Sequence, residues 1–525
     1  MALKRTKVTG GDGDTTQATK KVLTLPLSEV LVRTTRATAS SAEKQKAVVS
    51  QPPSKNGREV TQRNSNGRNP KKAAPRQQPA HSKAPINKAP SDVLKVFVFG
   101  NGECGELGLG PKIQESSKPR LNPFLDPDDE NAFHAVQIAC GGMHTIVLTI
   151  DNQLVTWGVN DDGALGRDTT WDGGLRDIDD DDSDDDEGMN PHESIPSAIP
   201  STSFPPGTTF VQVAAGDSCS FGLTDNGNVY GWGTFIHDEG IRRFRYDDKN
   251  NVIEKQLTPI LIPGLENIIQ ITCGINHALA LDTKGRVWAW GCGQHNQLGR
   301  RLFGRHQDGL TPRIVEVCRH GAKHIASGDD YSFAIDKNDT VYAWGTNNFG
   351  QAGDPKSAGT DAAILPYPMK IPGLCGKGIV VLNGGSHHAA AVTADGECLT
   401  WGRIDGGQLG IDFTSEQLKD DALIRRDERG SPRICLRPTT VPNMRKAIFV
   451  GVGARHTVII DDEGVGYATG VGNVGQLGIG TDDDADVPTR LKGLAIRAVH
   501  LNWAGGGGQN TIVAGPANVA SKRSR

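Results

Sequence analysis

"GINHALALDTKGRVWAWG", residues 274 to 291, packs a leading glycine, an apolar run, a Lys-Gly turn, a second apolar run and a closing Trp-Gly into eighteen positions. Two short apolar runs about a turn that needs positive φ predict two antiparallel strands joined by a tight hairpin. The plan recurs in "GGMHTIVLTIDNQLVTWG", "GDSCSFGLTDNGNVYGWG", "GDDYSFAIDKNDTVYAWG", "GSHHAAAVTADGECLTWG" and "GARHTVIIDDEGVGYATG". Their leading glycines are Gly141, Gly216, Gly328, Gly385 and Gly453. The residue before the closing glycine lies 16 positions on every time: Trp157, Trp232, Trp290, Trp344, Trp401 and, as a variant, Thr469.

In five units a further glycine stands eight residues after the closing one, at Gly166, Gly299, Gly353, Gly410 and Gly478. Two half-units are left over. "VFVFGNGECGELG" has Phe99-Gly100 in the Trp-Gly place and Gly108 at +8, with no leading strand; "GGQNTIVAG" has leading Gly507 and a strand, with no Trp-Gly after it. Six whole units and two complementary halves make seven. The expectation is an all-β, seven-bladed propeller closed by pairing of its N- and C-terminal strands, which removes free sheet edges. The leading turns of all seven blades should then share one rim of the central shaft.

Outside the repeats the chain is polarised. Residues 1 to 90 carry 18 Lys and Arg against 5 Asp and Glu, a net of +13, which leaves −17 on the other 435 residues of a chain totalling −4. Residues 1–92 are too poor in apolar side chains to bury a core and read as a disordered basic arm. Its clusters, Lys4, Arg5 and Lys7, then Lys20 and Lys21, suit nuclear targeting and salt-sensitive contact with DNA phosphates. The propeller is expected over 93–515 and a small basic tail over 516–525. "DIDDDDSDDDE" (177–187) reads as a self-repelling surface insertion.

No apolar run reaches about 18 residues and the N-terminus lacks the apolar core of a signal peptide, so a soluble, intracellular protein with no membrane partner is expected. Nine scattered cysteines suit reduced core thiols. Cys273, His277, Cys292 and His295 fall on the repeat's strand ends and turns, which favours packing over a metal site. No G-x-x-x-x-G-K-[ST] loop occurs, and "GGGG" at 505–508 belongs to the closing repeat, so no cofactor or cradled nucleotide is expected.

The pattern over residues 94–515 resembles the regulator of chromosome condensation family of seven-bladed propellers. "GGMHT", "DDGALGRDT", "AGDS", "WGTF" followed by "EGI", "GCGQ" with "QLGR", and "GGSHH" are nearest in wording to the family's founding member, a chromatin-bound exchange factor for the small G protein Ran. That resemblance implies a nuclear, chromatin-associated protein with Ran, the nucleosome, DNA and, through the arm, an import receptor as partners. It implies that Asp217 contacts Ran and that His387 serves the exchange step, without covalent catalysis. Glu103 stands where the founding member has Asp, and His144 and Arg300 match directly. Asn276 replaces an Asp important for Ran, and Asn510 replaces a histidine. A further acidic contact falls on Asp247 or Asp248. Arg301, Arg305 and Arg313, in the loop after Gly299, would reach the nucleosome's acidic patch. A propeller scaffold without exchange activity is the alternative.

One unit departs from the repeat. In "GWGTFIHDEGIRRFRYDD" (231–248) the position eight after Gly233 is Ile241. Nothing there has an evident repeat duty, and the resemblance implies that 234–246 extrudes a β-wedge. Phe235, Ile236, His237, Asp238, Glu239, Gly240 and Ile241 would then press on Ran near its phosphate-binding elements.

Overall fold

The computed structural model describes residues 85–172, 189–303 and 306–517. The arm residues up to 84, the acidic run 177–187, Arg305 and the tail from 518 lie outside them. The chain divides into Met1–Pro79, which falls outside the described residues, and Ala80–Arg525, which holds the propeller.

Seven sheets surround an axial shaft. In the blade of the opening segment the strands run, from the axis outward, Ile268–Cys273, His277–Asp282, Val287–Gly291 and Arg313–Val315. The second strand is buried along its whole length in all six complete blades. That explains its continuous apolar reading: blade faces press on it from both sides. The eighteen-residue repeat is therefore the middle hairpin of a four-stranded blade. An innermost strand, such as Ala135–Cys140 or Phe210–Ala215, precedes the leading glycine. The fourth strand ranges from two residues (Ser197–Ala198) to nine (Pro432–Thr440), the latter carrying a fifth strand, Ile424–Arg426, outside it.

Closure is as expected. The seventh sheet runs Glu115–Leu121, Leu94–Asn101, Asn510–Pro516, Trp503–Gly506, with Leu94 opposite Pro516 and Gly100 opposite Asn510.

The glycine at +8 has a specific duty. Gly299 sits at φ +61°, and a Cβ there would lie 2.7 Å from Cδ1 of Trp344 in the next blade. Close approach lets the loop's carbonyls accept the indole N–H. Trp157 donates to Glu106 O (2.9 Å), Trp232 to Ala164 O (2.8 Å), Trp344 to Gln297 O (2.8 Å) and Trp401 to Gln351 O (2.9 Å). Four return loops thus dock on the next blade's tryptophan, while Thr469 and Phe99 stand in that place in two further blades.

The unit without the glycine breaks this chain of contacts. Trp290 Nε1 is buried with no acceptor among the described residues. The orphaned donor costs about 1–3 kcal/mol. Phe235 and Phe244, both buried, fill the space instead; their rings stack 5.7 Å apart, and Phe221 meets Trp290 edge-on at 5.4 Å. The expectation that this segment has no repeat duty is corrected: its two phenylalanines plug the core where other blades use the leucine of "QLG".

Because strands alternate in direction, the leading-glycine turns and return loops emerge at one end of the propeller, here called the glycine face. The hairpin turns and the paired ends Leu94 and Pro516 emerge at the other. Before the first strand, Ile86 and Asn87 donate backbone N–H groups to Asp225 O, and Asn87 Nδ2 reaches Thr224 O and Ile268 O. The described chain therefore begins and ends on that opposite face.

Candidate functional site

The seven leading glycines, Gly141, Gly216, Gly274, Gly328, Gly385, Gly453 and Gly507, line one axial cavity of about 380 Å³. Neighbouring turns are tied together: Asp217 N donates to Ile275 O (2.9 Å), Ile275 N to Asp329 O (3.0 Å) and Gly508 N to Gly142 O (3.0 Å). Three positions after each leading glycine thereby acquire distinct environments.

The first position faces the shaft and carries Asp217 and Asp329. Burial raises both carboxyls above the usual range. Asp329 is pushed up to about 7, with the charges of Asp330 and Asp217 adding to the effect. In the sequence His295 stands out only as a candidate metal ligand and Asp330 not at all; lining up the repeats places Asp329 in register with Asp217.

The third position is buried and structural. His144, His277, His388 and His456 each bond through Nε2 to a hydroxyl of the next blade: Ser220 (2.8 Å), Ser332 (2.8 Å), Thr457 (2.9 Å) and Thr511 (2.8 Å). Those hydroxyls in turn donate to return-loop carbonyls, as Ser332 does to Gln297 O at 3.0 Å. Asn510 holds the equivalent place in the closing blade and reaches toward Glu106 O at 3.5 Å. His144 and Asn510, expected on the partner surface, are 3% and 5% exposed and belong to this interblade staple.

The second position points outward and carries Asn276, Asp330, His387 and Arg455. His387 lies edge-on to Phe349 at 4.5 Å, and the same ring carries the guanidinium groups of Arg403 (5.0 Å) and Arg433 (5.3 Å). Burial first, and then Arg403 and Arg455, push the imidazole down to about 4. His387 is consequently neutral at physiological pH and offers the rim one N–H donor and one nitrogen acceptor.

The interrupted unit emerges beside these residues. Phe235–Ile236 pairs with Arg242–Arg243 around a turn at Asp238–Gly240, and a second ribbon pairs Arg245–Tyr246 with Val252–Ile253. Glu239 sits at φ +70° at the tip, where left-handed backbone is strained for any side chain but glycine. Asp238, Glu239, Gly240 and Ile241 are exposed, whereas Phe235 and His237 are buried and Ile236 is half-buried. The stretch expected to touch Ran thus divides into an exposed tip and a root within the fold. Asn276 serves the root: its Oδ1 accepts from Ile236 N at 2.8 Å. Asp247 caps its own turn, accepting from Lys249 N and Asn251 N, and Asp248 is exposed.

The chain matches the RCC1-like domain family over residues 95–513. It belongs to that family. The guanine nucleotide exchange factor SRM1 of Saccharomyces cerevisiae is 39% identical over 434 residues, covering 80% of this chain and 87% of that protein. The regulator of chromosome condensation of Homo sapiens is 28% identical over 432 residues, covering 80% of this chain and 90% of the relative. Among solved structures, Prp20p of Saccharomyces cerevisiae, studied for its binding to Gsp1p and histones, superposes with a TM-score of 0.72 at 37% identity. It covers 82% of this chain and 93% of its own. Yeast RCC1 (Prp20) bound to Kap60 superposes at 0.73 and 36%, covering 85% and 96%.

The remaining positions suggested by the RCC1 resemblance divide. Glu103 is exposed on the first return loop. Arg300, whose side chain is 11% exposed, pairs with Asp308 at 2.9 Å and anchors its own loop, so little of it is left for a partner. Arg313 meets the same carboxylate at 2.6 Å, and Arg301 lies over Phe303 at 5.4 Å. That loop joins a third strand to a fourth, so Arg301 and Arg313 emerge on the glycine face, the same side as the wedge.

Proposed function

We propose that this protein is a guanine-nucleotide exchange factor for the small GTPase Ran, bound to chromatin in the nucleus. It stabilises nucleotide-free Ran so that GDP leaves and GTP loads. The observation that carries the reading is the exposed tip Asp238–Ile241, leaving an otherwise regular propeller on the glycine face, in a family whose member SRM1 is an exchange factor.

The energetics set the task. A GTPase that holds nucleotide at ~1 pM, about −16 kcal/mol, releases it on the order of 10⁻⁶ per second for an on-rate of ~10⁶ M⁻¹s⁻¹. Contacts made only with the empty state lower that barrier, without nucleophile or general base. The rim supplies such contacts: carboxyl groups at Asp217 and Asp329, a neutral imidazole at His387, and the tip. Glu103 and Asn276 complete the Ran-facing set, Asn276 by holding the wedge root.

Chromatin attachment is assigned to the basic arm, with Lys4, Arg5, Lys7, Lys20 and Lys21 on DNA phosphates and an import receptor reading the same clusters. The described chain begins on the face opposite the wedge. Arg301, Arg305 and Arg313 remain assigned to the histone acidic patch; Arg305 lies outside the described residues, and a contact through Arg301 and Arg313 draws on the same face as Ran.

Release of a fluorescent GDP analogue from purified Ran tests the reading. Micromolar protein should accelerate release by orders of magnitude; no acceleration would leave a propeller scaffold as the conclusion. Removing residues 1–84, which spares the anchored Ile86 and Asn87, should weaken nucleosome binding and flatten its dependence on salt, measured by titration between 50 and 200 mM salt.

A further inference from the structure

The wedge lacks the anchor that every fully regular blade uses. Its return loop has no +8 glycine, and Trp290, which should dock on that loop, finds no acceptor among the described residues. The buried phenylalanines hold the root, but the exposed tip needs another restraint if its contacts are to be preorganised. Polar side chains of the two neighbouring blades supply one.

On one side stands Asp162, in the return loop "VNDDGALG" of the preceding blade, its side chain 9% exposed. It receives two cations, one from the strand after the tip and one from just before the blade's outermost strand: Arg242 Nε at 2.5 Å and Lys255 Nζ at 2.9 Å. Arg242 also donates through Nη1 to Gly240 O at 3.3 Å, so the guanidinium links the buried carboxylate directly to the tip's backbone. Lys255 makes a second contact, to Asp161 O at 2.6 Å.

On the other side the following blade accepts from the wedge's near strand. Ile236 N donates to Asn276 Oδ1 and Asp238 N to Gln294 Oε1, both at 2.8 Å. His295 lies between Asp330 (3.3 Å) and Asp238 (3.9 Å).

We propose that Asp162 is a positioning residue for nucleotide exchange: through Arg242 and Lys255 it clamps the wedge against the preceding blade, so that the tip meets the GTPase already in its working orientation. The proposal rests on the exchange reading above. A surface pair between long, mobile side chains would contribute little, but here the carboxylate is buried and the two cations converge on it from separate segments of the chain. Removing the carboxylate frees Arg242 and with it Gly240. The propeller itself should stay folded, because its blades are held by the tryptophan and histidine staples.

The experiment is exchange kinetics on the full chain, with the maximal rate and the half-saturating Ran concentration measured separately. Asp162→Ala and, as a variant at the more exposed member of the pair, Arg242→Gln should each lower the maximal rate about tenfold with half-saturation changed less than about twofold. Asp162→Glu, which keeps the carboxylate, should recover most of the rate. Hydrogen exchange at the amides of Ile236 and Asp238 should quicken in both disabling variants and not in Asp162→Glu. Full maximal rates in both disabling variants, or a loss confined to half-saturation, would overturn the role of Asp162. A wild-type chain that fails to accelerate release overturns the exchange reading itself, and the two failures are therefore distinct.

Discussion

Trp290 and Trp401 occupy one repeat position and differ by one hydrogen bond: Trp401 donates to Gln351 O at 2.9 Å, and Trp290 donates to nothing described. Trp→Phe at either site leaves a similar gap, but only at 401 does it also strand a buried carbonyl. Urea unfolding should therefore find Trp401→Phe costlier than Trp290→Phe by about 1–3 kcal/mol. The same comparison separates rim residues. His387 is half-buried on Phe349 and neutral, whereas Asp217 lines the shaft mouth. His387→Ala should slow GDP release from Ran by more than it weakens the complex; Asp217→Ala should mainly weaken the complex, as read by release kinetics beside a binding titration. Since His387 gains its proton only near pH 4, the release rate should show no step from this group between pH 6 and 8.

At the scale of an element, the wedge is two structures in one. Its root belongs to the core, since Phe235 and Phe244 are 0% and 2% exposed. Phe235→Ala should cost about 3–5 kcal/mol, the usual penalty for emptying a buried aromatic site, whatever its effect on exchange. The tip belongs to the surface. Shortening Asp238–Ile241 to a two-residue Asn-Gly turn should leave the melting temperature nearly unchanged and reduce exchange at least tenfold. Equal losses of stability in the two variants would mean that root and tip are not separable. Replacing the entire stretch by a regular "GQLG" loop is a harsher test, because it removes the aromatic plug together with the tip.

For the whole molecule, the histidine staples set a common acid limit. Burial pushes His144, His277 and His456 down to about 4 and His388 to about 3, against about 6.5 in the unfolded chain. As pH falls below 6.5 the unfolded state takes up protons that the folded state refuses until about 4. Stability therefore declines through that window, over up to four protons. Urea midpoints measured from pH 7.5 down to 4.5 should fall with increasing steepness. Replacing one staple by asparagine, the residue at the same place in the closing blade (Asn510), should reduce the slope by about one proton.

The sequence alone determined the blade count, the closure and the family, because glycines at positive φ and tryptophans at set intervals answer to local geometry that every blade repeats. It also marked the interrupted unit. It did not disclose the innermost strands, whose short mixed runs such as "VQIAC" become strands only by lining a shaft made by seven blades. Lining up the repeats set His387, two after its glycine, apart from His144, three after its own, but only the packing of neighbouring blades shows that the first faces outward and the second is a staple. The pairing of Asp162 with Arg242 and Lys255 spans 80 and 93 residues of chain and has no repeat counterpart. Only the packing of neighbouring blades brings those charges together, since electrostatic contact depends on distance in space and leaves no periodic trace along the chain.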